Sequence, residues 1–227
     1  MASEEKIIRE LKNSCKNVLY KKEDIYVYAY DTSQNPENII IPLAVVLPEN
    51  REEVIRIVKI CAENKIKIVP RAQGTRPVEN CIVMHFSKMD KIIKIDKENL
   101  IAIVEPNVVI GKLNKELDKE NLFFPPDPSN LAVSTVAGAI ALSSGGPRTF
   151  KYGSTKDYVI NLEVVLADGS VIETSKNLAK NVTGYNITSL FTGSEGTLGI
   201  ITQATLKLIP KPQTRLLTMA YFDDLID

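Results

Sequence analysis

The chain has 227 residues, 44% hydrophobic and 25% charged, a composition typical of globular proteins. Lys and Arg together number 28, as do Asp and Glu, so a neutral chain without a basic stripe gives no reason to expect nucleic-acid binding. It has no apolar run long enough for a membrane span and no secretory signal, so we expect a cytoplasmic protein. Its three cysteines form no CxxC pair, which excludes a zinc site or iron–sulfur cluster built from this chain alone.

The first part of the chain alternates between helix and strand patterns. Apolar residues at helical spacing predict a helix over residues 4–20. Residues 39–47 predict a buried strand, "PENREEVIRIVKICAENK" a helix, and residues 66–69 a second strand. A strand, helix and strand joined by short links form a βαβ unit, so we expect these two strands to be parallel. Residues 81–87 predict a third strand of a small α/β subdomain.

The second part favours an antiparallel sheet. "KIIKIDKENLIAIVEP" predicts two strands around a polar turn, and "IGKLNKELDKENL" predicts a helix. "YVINLEVVLADGSVIET" predicts a hairpin with Asp168 and Gly169 as a two-residue tip. "GIITQATLKLIP" alternates like a half-buried strand. The passage between Phe123 and Tyr152 is rich in glycine and proline, and so long an irregular segment usually binds something.

Three loop clusters are candidates for binding chemistry. "PRAQGT", 70–75, follows the second strand, and its glycine can bend main-chain N–H groups into an anion-binding concavity, although a simple turn explains the same residues equally well. "PPDPSNLAVSTVAGAIALSSGGPRTFKYG", 125–153, offers hydroxyls and glycines that let the main chain approach a ligand, or else a tightly packed Ala/Gly helix. "GSEGTLGIIT", 193–202, bends sharply, and Glu195 is expected to brace this turn rather than to catalyse.

Taken in order, these clusters and the segments between them resemble the FAD-binding domain of the vanillyl-alcohol oxidase / p-cresol methylhydroxylase superfamily. The resemblance spans roughly residues 25–212 and is strongest to the glycolate oxidase flavoprotein subunit and D-lactate dehydrogenase group. It implies an α+β fold of two subdomains, the first small with parallel strands and the second larger and mainly antiparallel, with FAD held between them. The implied boundaries are 1–38 for an N-terminal helix and connector, 39–91 and 92–212 for the subdomains, and 213–227 for the start of a cap domain.

The resemblance also implies which residues hold the cofactor. The main chain of the first cluster would follow the pyrophosphate, the second cluster would line the flavin and its ribityl and diphosphate chain, and the third would meet the adenine end. The implied cofactor-binding residues are Arg71, Ala72, Gln73, Gly74, Thr75, Arg76, Pro126, Asp127, Pro128, Ser134, Thr135, Gly138, Gly145, Gly146, Tyr152, Gly153, Gly199, Ile200 and Ile201.

The first cluster departs from the pattern that it resembles. Family members usually carry "RGxGT" and a further paired-glycine segment, whereas this chain has Ala72 and then "RPVENC". The loop is therefore several residues short, and Glu79 adds an anion near the expected diphosphate unless Arg71 or Arg76 offsets it. We expect FAD to bind, more weakly than is usual in the family.

His85 is the only histidine, and it lies in the predicted third strand. In some branches of the superfamily a histidine bonds covalently to the flavin, but His85 does not match that position. The cofactor is therefore expected to be non-covalent FAD. No catalytic residue and no metal ligand is assigned to this chain.

The implied function is to hold the flavin of an FAD-linked 2-hydroxy-acid oxidoreductase of the glycolate or D-lactate type. Such oxidation needs a base for the hydroxyl proton and cations for the carboxylate, which the resembled enzymes draw largely from a cap domain. We expect that cap to be absent from this chain and do not expect the chain to be active alone. A cap-domain or iron–sulfur/electron-transfer subunit is its expected partner.

Three explanations for an absent cap stay open: a split enzyme, a truncated frame or excised domain, and a non-catalytic module. The last would be a flavin carrier, or an interaction protein that has lost the cofactor. The enolpyruvyl-glucosamine reductase of cell-wall synthesis shares the implied fold. Its glycine–serine–asparagine loop is missing here, and "PPDPS" with "GSEGTLGIIT" favours the hydroxy-acid group.

Overall fold

The structure is a computed structural model that describes residues 4–29, 39–72, 74, 77–176, 182–214 and 216–222. Its α-helices are α1 (Glu4–Ser14), α2 (Lys22–Ile25), α3 (Arg51–Asn64), α4 (Ile110–Asp118), α5 (Val136–Ala141), α6 (Thr149–Tyr152) and α7 (Ile187–Phe191). Its strands are β1 (Val18–Leu19), β2 (Ala44–Val46), β3 (Lys67–Arg71), β4 (Cys81–His85), β5 (Ile92–Asp96), β6 (Ile101–Val104), β7 (Leu122–Phe123), β8 (Val159–Val165), β9 (Val171–Glu173), β10 (Ile200–Lys207) and β11 (Ile209–Pro210). Short 3-10 helices cover Tyr26–Tyr28 and Thr155–Tyr158.

The first sheet has the strand order β1-β2-β4-β3. Strands β2 and β3 both pair in parallel with β4, so the predicted parallel orientation of β2 and β3 is confirmed, but β4 lies between them. Helix α3 makes the crossover from β2 to β3. The carboxyl ends of these three strands therefore open at one edge of the sheet, where ligands bind in many α/β folds.

Helix α3 forms where the sequence predicts it, because residues at both of its ends cap the helix. The Asn50 side chain accepts a hydrogen bond from Glu53 N at 3.0 Å, which satisfies one of the free N–H groups of the first turn. Lys65 follows the helix with a left-handed φ of 55°. The helix buries one face against the first sheet, through Val54, Ile57, Val58 and Cys61.

The predicted N-terminal helix is too long. Helix α1 ends at Ser14, and Val18 and Leu19 pair with Val46 and Val45 as the antiparallel edge of the first sheet. Their apolar side chains fit a helical spacing as well as a strand, and sheet pairing decides between the two. Helix α1 still packs its Ile7 and Leu11 into the core of that sheet.

The second sheet, β5-β6-β10-β8-β9, is antiparallel throughout, as the sequence predicts. The hairpin β8–β9 also forms, but its tip differs from the prediction. Leu166 N donates to Ser170 O at 2.8 Å, so the loop contains three residues, 167–169, instead of two. Beside this sheet, β7 and β11 form a separate two-stranded pair.

Each sheet has its own buried core, which confirms the α+β fold with two subdomains. One core joins α3 and α1 to the first sheet, and the other joins α4 and α5 to the second sheet. Val165 and Ile200, at adjoining ends of β8 and β10, belong to the core of the first subdomain. The subdomains are therefore packed together and not merely tethered. Across the described residues, no helix is long and apolar enough to cross a membrane.

Candidate functional site

A cleft of about 530 Å³ opens where the two subdomains meet. This volume lies in the range of small-molecule sites, roughly 300–1,000 Å³. Residues from all three predicted loop clusters line the cleft. The predicted binding residues in its lining are Arg71, Ala72, Gly74, Ser134, Thr135, Gly138, Gly199 and Ile201.

The first cluster begins at the carboxyl end of β3. Arg71 Nη1 donates to Tyr28 O at 3.0 Å, and its guanidinium lies over the Tyr28 ring. The next residue, Ala72, has its carbonyl 3.1 Å from His85 Nε2 at the end of β4. These contacts fix the direction in which the chain leaves the sheet. Gln73, Thr75 and Arg76 lie outside the described residues.

The second cluster is the segment that leads into α5. Thr135 caps this short helix, its Oγ1 accepting from Gly138 N at 3.3 Å. Ser134 O accepts from Ile110 N at 2.9 Å, which ties the segment to the start of α4. A Cβ on Gly138 would lie 3.7 Å from Ala72 Cβ, so the second cluster directly faces the first.

The third cluster packs against both of the others. Gly196 has a left-handed φ of 76°, and a Cβ there would lie 2.6 Å from Pro70 Cγ of β3. Gly193 N and Glu195 N donate to Ile140 O and Ala141 O of α5, both at 2.9 Å. Glu195 thus braces the turn with its main chain. The three clusters converge on one cleft, as the sequence predicts.

A second group of predicted binding residues is absent from the cleft lining in the described part of the chain: Pro126, Asp127, Pro128, Gly145, Gly146, Tyr152, Gly153 and Ile200. Asp127 is buried, and its carboxylate forms an ion pair with the Arg148 guanidinium at 3.2 Å. Arg148 also donates its main-chain N–H to Asp127 Oδ1. Gly146 lies directly over the Asp127 carbonyl. These contacts hold the paired-glycine turn in place, and direct cofactor contacts by the group stay predictions.

Tyr152 and Gly153 are also engaged in local packing. Tyr152 stacks edge-on against Phe123, with 5.6 Å between ring centroids, and its carbonyl accepts from Tyr158 Oη at 2.8 Å. Asp157 accepts from Ser154 N at 2.8 Å and so braces the connection to β8. Ile200 is buried in the core of the first subdomain.

The cleft has further lining residues that the sequence prediction did not include among the binding residues: Pro70, Phe86, Ala137, Ala139, Ala141, Leu142, Ser144, Glu195 and Gly196. Most of them are adjacent in sequence to predicted binding residues, so the prediction located the segment but not every residue of it that lines the cleft. Phe86 is the exception, since it follows β4, a strand with no glycine or hydroxyl signal. The parallel pairing of β3 with β4 brings Phe86 to the cleft. Nothing in the sequence around Phe86 indicates which strand β4 pairs with.

The chemistry of the lining suits a long ligand with flat apolar and phosphorylated parts. Alanine, leucine, isoleucine and phenylalanine side chains offer apolar contact, while Ser134, Thr135 and Ser144 carry hydroxyls. No other described residue comes within 4 Å of a Cβ built on Gly74, and any side chain at Gly138 would narrow the cleft towards Ala72. Among the described residues no group of three His, Cys, Asp or Glu could hold a metal ion. A two-lobed fold with this cleft defines a dinucleotide-binding protein, and its residues fit FAD.

Comparison with known proteins agrees with this class. The FAD binding domain family matches residues 42–175. Glycolate oxidase subunit GlcD of Bacillus subtilis (strain 168) is 46% identical over 205 residues, covering 88% of this chain and 43% of that protein. D-lactate dehydrogenase of Anaerostipes hadrus is 37% identical over 192 residues, covering 82% and 40%. The solved structure of p-cresol methylhydroxylase with substrate bound has a TM-score of 0.77 and 26% identity, covering 92% of this chain and 44% of that chain.

The chain belongs to the FAD binding domain family, since the match spans more than half of its residues. The predicted cofactor, FAD, and the predicted fold of the p-cresol methylhydroxylase type are thereby confirmed. The chain spans about two fifths of the length of these relatives, 43% and 40%.

Proposed function

We propose that this chain is the flavin-holding part of an FAD-linked 2-hydroxy-acid oxidoreductase of the glycolate or D-lactate type. The convergence of three separate loop clusters on one cleft is the observation that carries this proposal. The 46% identity to a glycolate oxidase subunit and the 37% identity to a D-lactate dehydrogenase support the substrate class. FAD, when bound, supplies the acceptor for the hydride of the substrate carbon.

The chain's own contribution would be binding and orientation. The main chain of the first cluster, whose described lining residues include Arg71, Ala72 and Gly74, would lie along the diphosphate, and the segment from Ser134 to Gly138 would form the opposite wall. Gly199 and Ile201 would meet the adenine end. The apolar lining would keep water from the bound cofactor, which strengthens every polar contact within the cleft.

No base or carboxylate-binding cation for the substrate is assigned to this chain. The only histidine, His85, is engaged with Ala72 O, and the only described cation in the lining, Arg71, donates to Tyr28 O. We therefore propose that a cap domain, or a partner such as an electron-transfer subunit, completes the active site. The division at residues 38, 91 and 212, the start of a cap at 213–227 and the cytoplasmic location stay predictions.

Non-covalent binding is part of the same proposal. A covalent link to a flavin needs a nucleophilic side chain beside the ring. The described lining of the cleft contains no histidine, cysteine or tyrosine. Cys15, Cys61 and Cys81 are buried in the first subdomain, and burial raises the pKa of the Cys61 thiol to about 12.

Titration of the purified chain with FAD tests the proposal. We expect protein-bound flavin absorbance that survives desalting, and release of free FAD when the protein is acid-precipitated. Gly138→Leu should weaken FAD at least about tenfold, equivalent to about 1.4 kcal/mol, because its side chain fills the cleft facing Ala72. Ala167→Leu, in the exposed turn between β8 and β9 and outside all three clusters, is the matched control and should bind like the wild type. A wild-type chain that binds FAD no better than GTP would refute the proposal.

The same preparation separates the enzyme part from a non-catalytic flavin carrier. With FAD bound, the chain alone should not reduce a dye with glycolate or D-lactate, because no substrate-binding group is assigned to it. Addition of a cap or partner polypeptide should restore turnover. A flavin carrier would hold FAD and stay inactive with every such partner, and enzyme-like turnover by the chain alone would contradict the proposed division of labour.

A further inference from the structure

The single histidine of the chain holds the loop at the first cluster. His85 ends β4 and stands in register with Arg71, the last residue of β3. Its Nε2 lies 3.1 Å from the carbonyl oxygen of Ala72, one residue beyond that strand. The imidazole packs edge-on against the half-buried Tyr28 ring, with 5.4 Å between centroids. His85 is not among the described lining residues of the cleft, so any effect on the site would have to pass through Ala72.

The contact determines the tautomer of the imidazole. A carbonyl oxygen only accepts hydrogen bonds, so His85 Nε2 must carry the hydrogen. His85 Nδ1 is buried and has no hydrogen-bond partner in the described part of the chain. A hydrogen on that atom would be buried without an acceptor, which is costly. The ring is therefore neutral, with its hydrogen on Nε2.

The surroundings favour the same state. Burial is the largest cause that lowers the pKa of His85 below its ordinary value of 6.5, and the positive charge of Arg71 lowers it further. The bond to Ala72 acts in the opposite direction but is outweighed. Of the described groups, Arg71 from β3 and Tyr28 from the 3-10 helix face the ring, and no described carboxylate contributes to the shift.

Ala72 is the point at which this contact reaches the cofactor site. A Cβ built on Gly138 would lie 3.7 Å from the Ala72 Cβ, so the two residues face each other across the cleft. A rotation of the Ala72 peptide would move this wall and redirect the main chain that follows. At the end of β3 the Arg71 carbonyl accepts a weak hydrogen bond from Phe86 N at 3.4 Å. One residue later, the His85 side chain contacts the Ala72 carbonyl and holds the chain where it leaves the strand.

We propose that His85 is a positioning residue for FAD: its neutral imidazole donates from Nε2 to Ala72 O and thereby fixes the wall of the cleft opposite α5. The effect on FAD rests on the proposed function, whereas the tautomer and the hydrogen bond do not. The two can therefore fail separately in experiment.

Nuclear magnetic resonance of the FAD-free chain labelled with 15N-histidine tests the first part. Because the chain contains one histidine, the spectrum reports His85 alone. We expect a pyrrole-type Nε2 and a pyridine-type Nδ1 at neutral pH, with a pKa below 6.5. A neutral ring with its hydrogen on Nδ1, or a ring that is charged at neutral pH, would overturn the assignment whether or not the chain binds FAD.

Two substitutions test the link to the cofactor. His85→Leu removes the donor, and we expect about tenfold weaker FAD, the loss equivalent to one hydrogen bond. His85→Gln places an amide N–H near the position of Nε2 and should restore binding to within about threefold of the wild type. Lys88→Ala, at an exposed position close in sequence, is the control.

Thermal unfolding without FAD checks that each variant is folded before its affinity is compared. If folded His85→Leu binds FAD like the wild type, or if His85→Gln binds as weakly as His85→Leu, the positioning role is wrong. If the wild type itself does not bind FAD, the proposed function fails while the tautomer measurement still decides the contact to Ala72.

Discussion

At the scale of single residues, Gly146 shows why this chain carries a paired glycine. A Cβ at Gly146 would stand 1.8 Å from the Asp127 carbonyl oxygen, which belongs to buried main chain and cannot rotate away. We expect Gly146→Ala to lower the free energy of unfolding by at least about 2 kcal/mol, because the two segments must separate. Urea denaturation of the FAD-free chain measures this loss.

Gly74→Ala is the matched control for that measurement. Among the described residues, a Cβ at Gly74 meets no atom within 4 Å, so this variant should unfold like the wild type. Equal unfolding midpoints for Gly146→Ala and the wild type would contradict the close approach of the two segments. The Asp127–Arg148 ion pair would then not hold the turn.

The sequence predicts this scale unevenly. Glycine and proline reveal where the chain bends, so the three loop clusters could be located from the sequence, and the family resemblance then placed Gly74, Gly138 and Gly199 near the cofactor. Pairing between distant segments leaves no such mark. The bond between His85 and Ala72 depends on two parallel strands meeting in register, and the burial of Asp127 depends on Arg148 folding back over it.

At the scale of elements, α3 depends on its N-terminal cap. Asn50 Oδ1 accepts from Glu53 N at 3.0 Å, and the Glu53 carboxylate in turn accepts from Glu49 N at 2.9 Å. We expect Asn50→Ala to lower the free energy of unfolding by about 1 kcal/mol. Asn50→Asp, which keeps the acceptor, should retain most of it. Urea denaturation of both variants measures these losses. Equal losses for Asn50→Ala and Asn50→Asp would show that the side-chain cap does not stabilise the helix.

Elements with one dominant pattern were predicted best. Helix α3 has an apolar face and caps at both ends, and β10 alternates between the two faces of its sheet, so both could be located from the sequence. The end of α1 could not, because Val18 and Leu19 fit the helical spacing and only their pairing with β2 makes them a strand. The position of β4 between β2 and β3 likewise depends on which strands pair, and the sequence pattern of a strand does not indicate its neighbours.

At the scale of the whole molecule, the cleft exists only while the two subdomains stay packed. Adjacent residues of β8 point to different cores: Val164 is buried in the second subdomain and Val165 in the first. Arg51 at the start of α3 also pairs with Glu163 of β8 at 2.8 Å. The junction therefore combines apolar packing with a partly exposed ion pair, of which packing is the larger contribution.

This arrangement allows the junction to be tested with two substitutions of one residue type. Val164→Ala and Val165→Ala each remove a fully buried side chain, and each should cost about 2 kcal/mol of unfolding free energy. Of the two side chains, only that of Val165 packs into the core of the first subdomain. We expect Val165→Ala to weaken FAD several-fold beyond Val164→Ala, because a cofactor held by both walls must also restore their alignment on binding.

Calorimetry of FAD binding to both variants measures that difference, under conditions where both are folded. A larger loss of binding entropy for Val165→Ala would accompany the weaker affinity, since the cofactor then orders a junction that the wild type holds in place. Equal affinities for the two variants would mean that the junction is rigid without Val165. In that case the walls of the cleft would be aligned by loop contacts between the subdomains, such as Gly196 against Pro70.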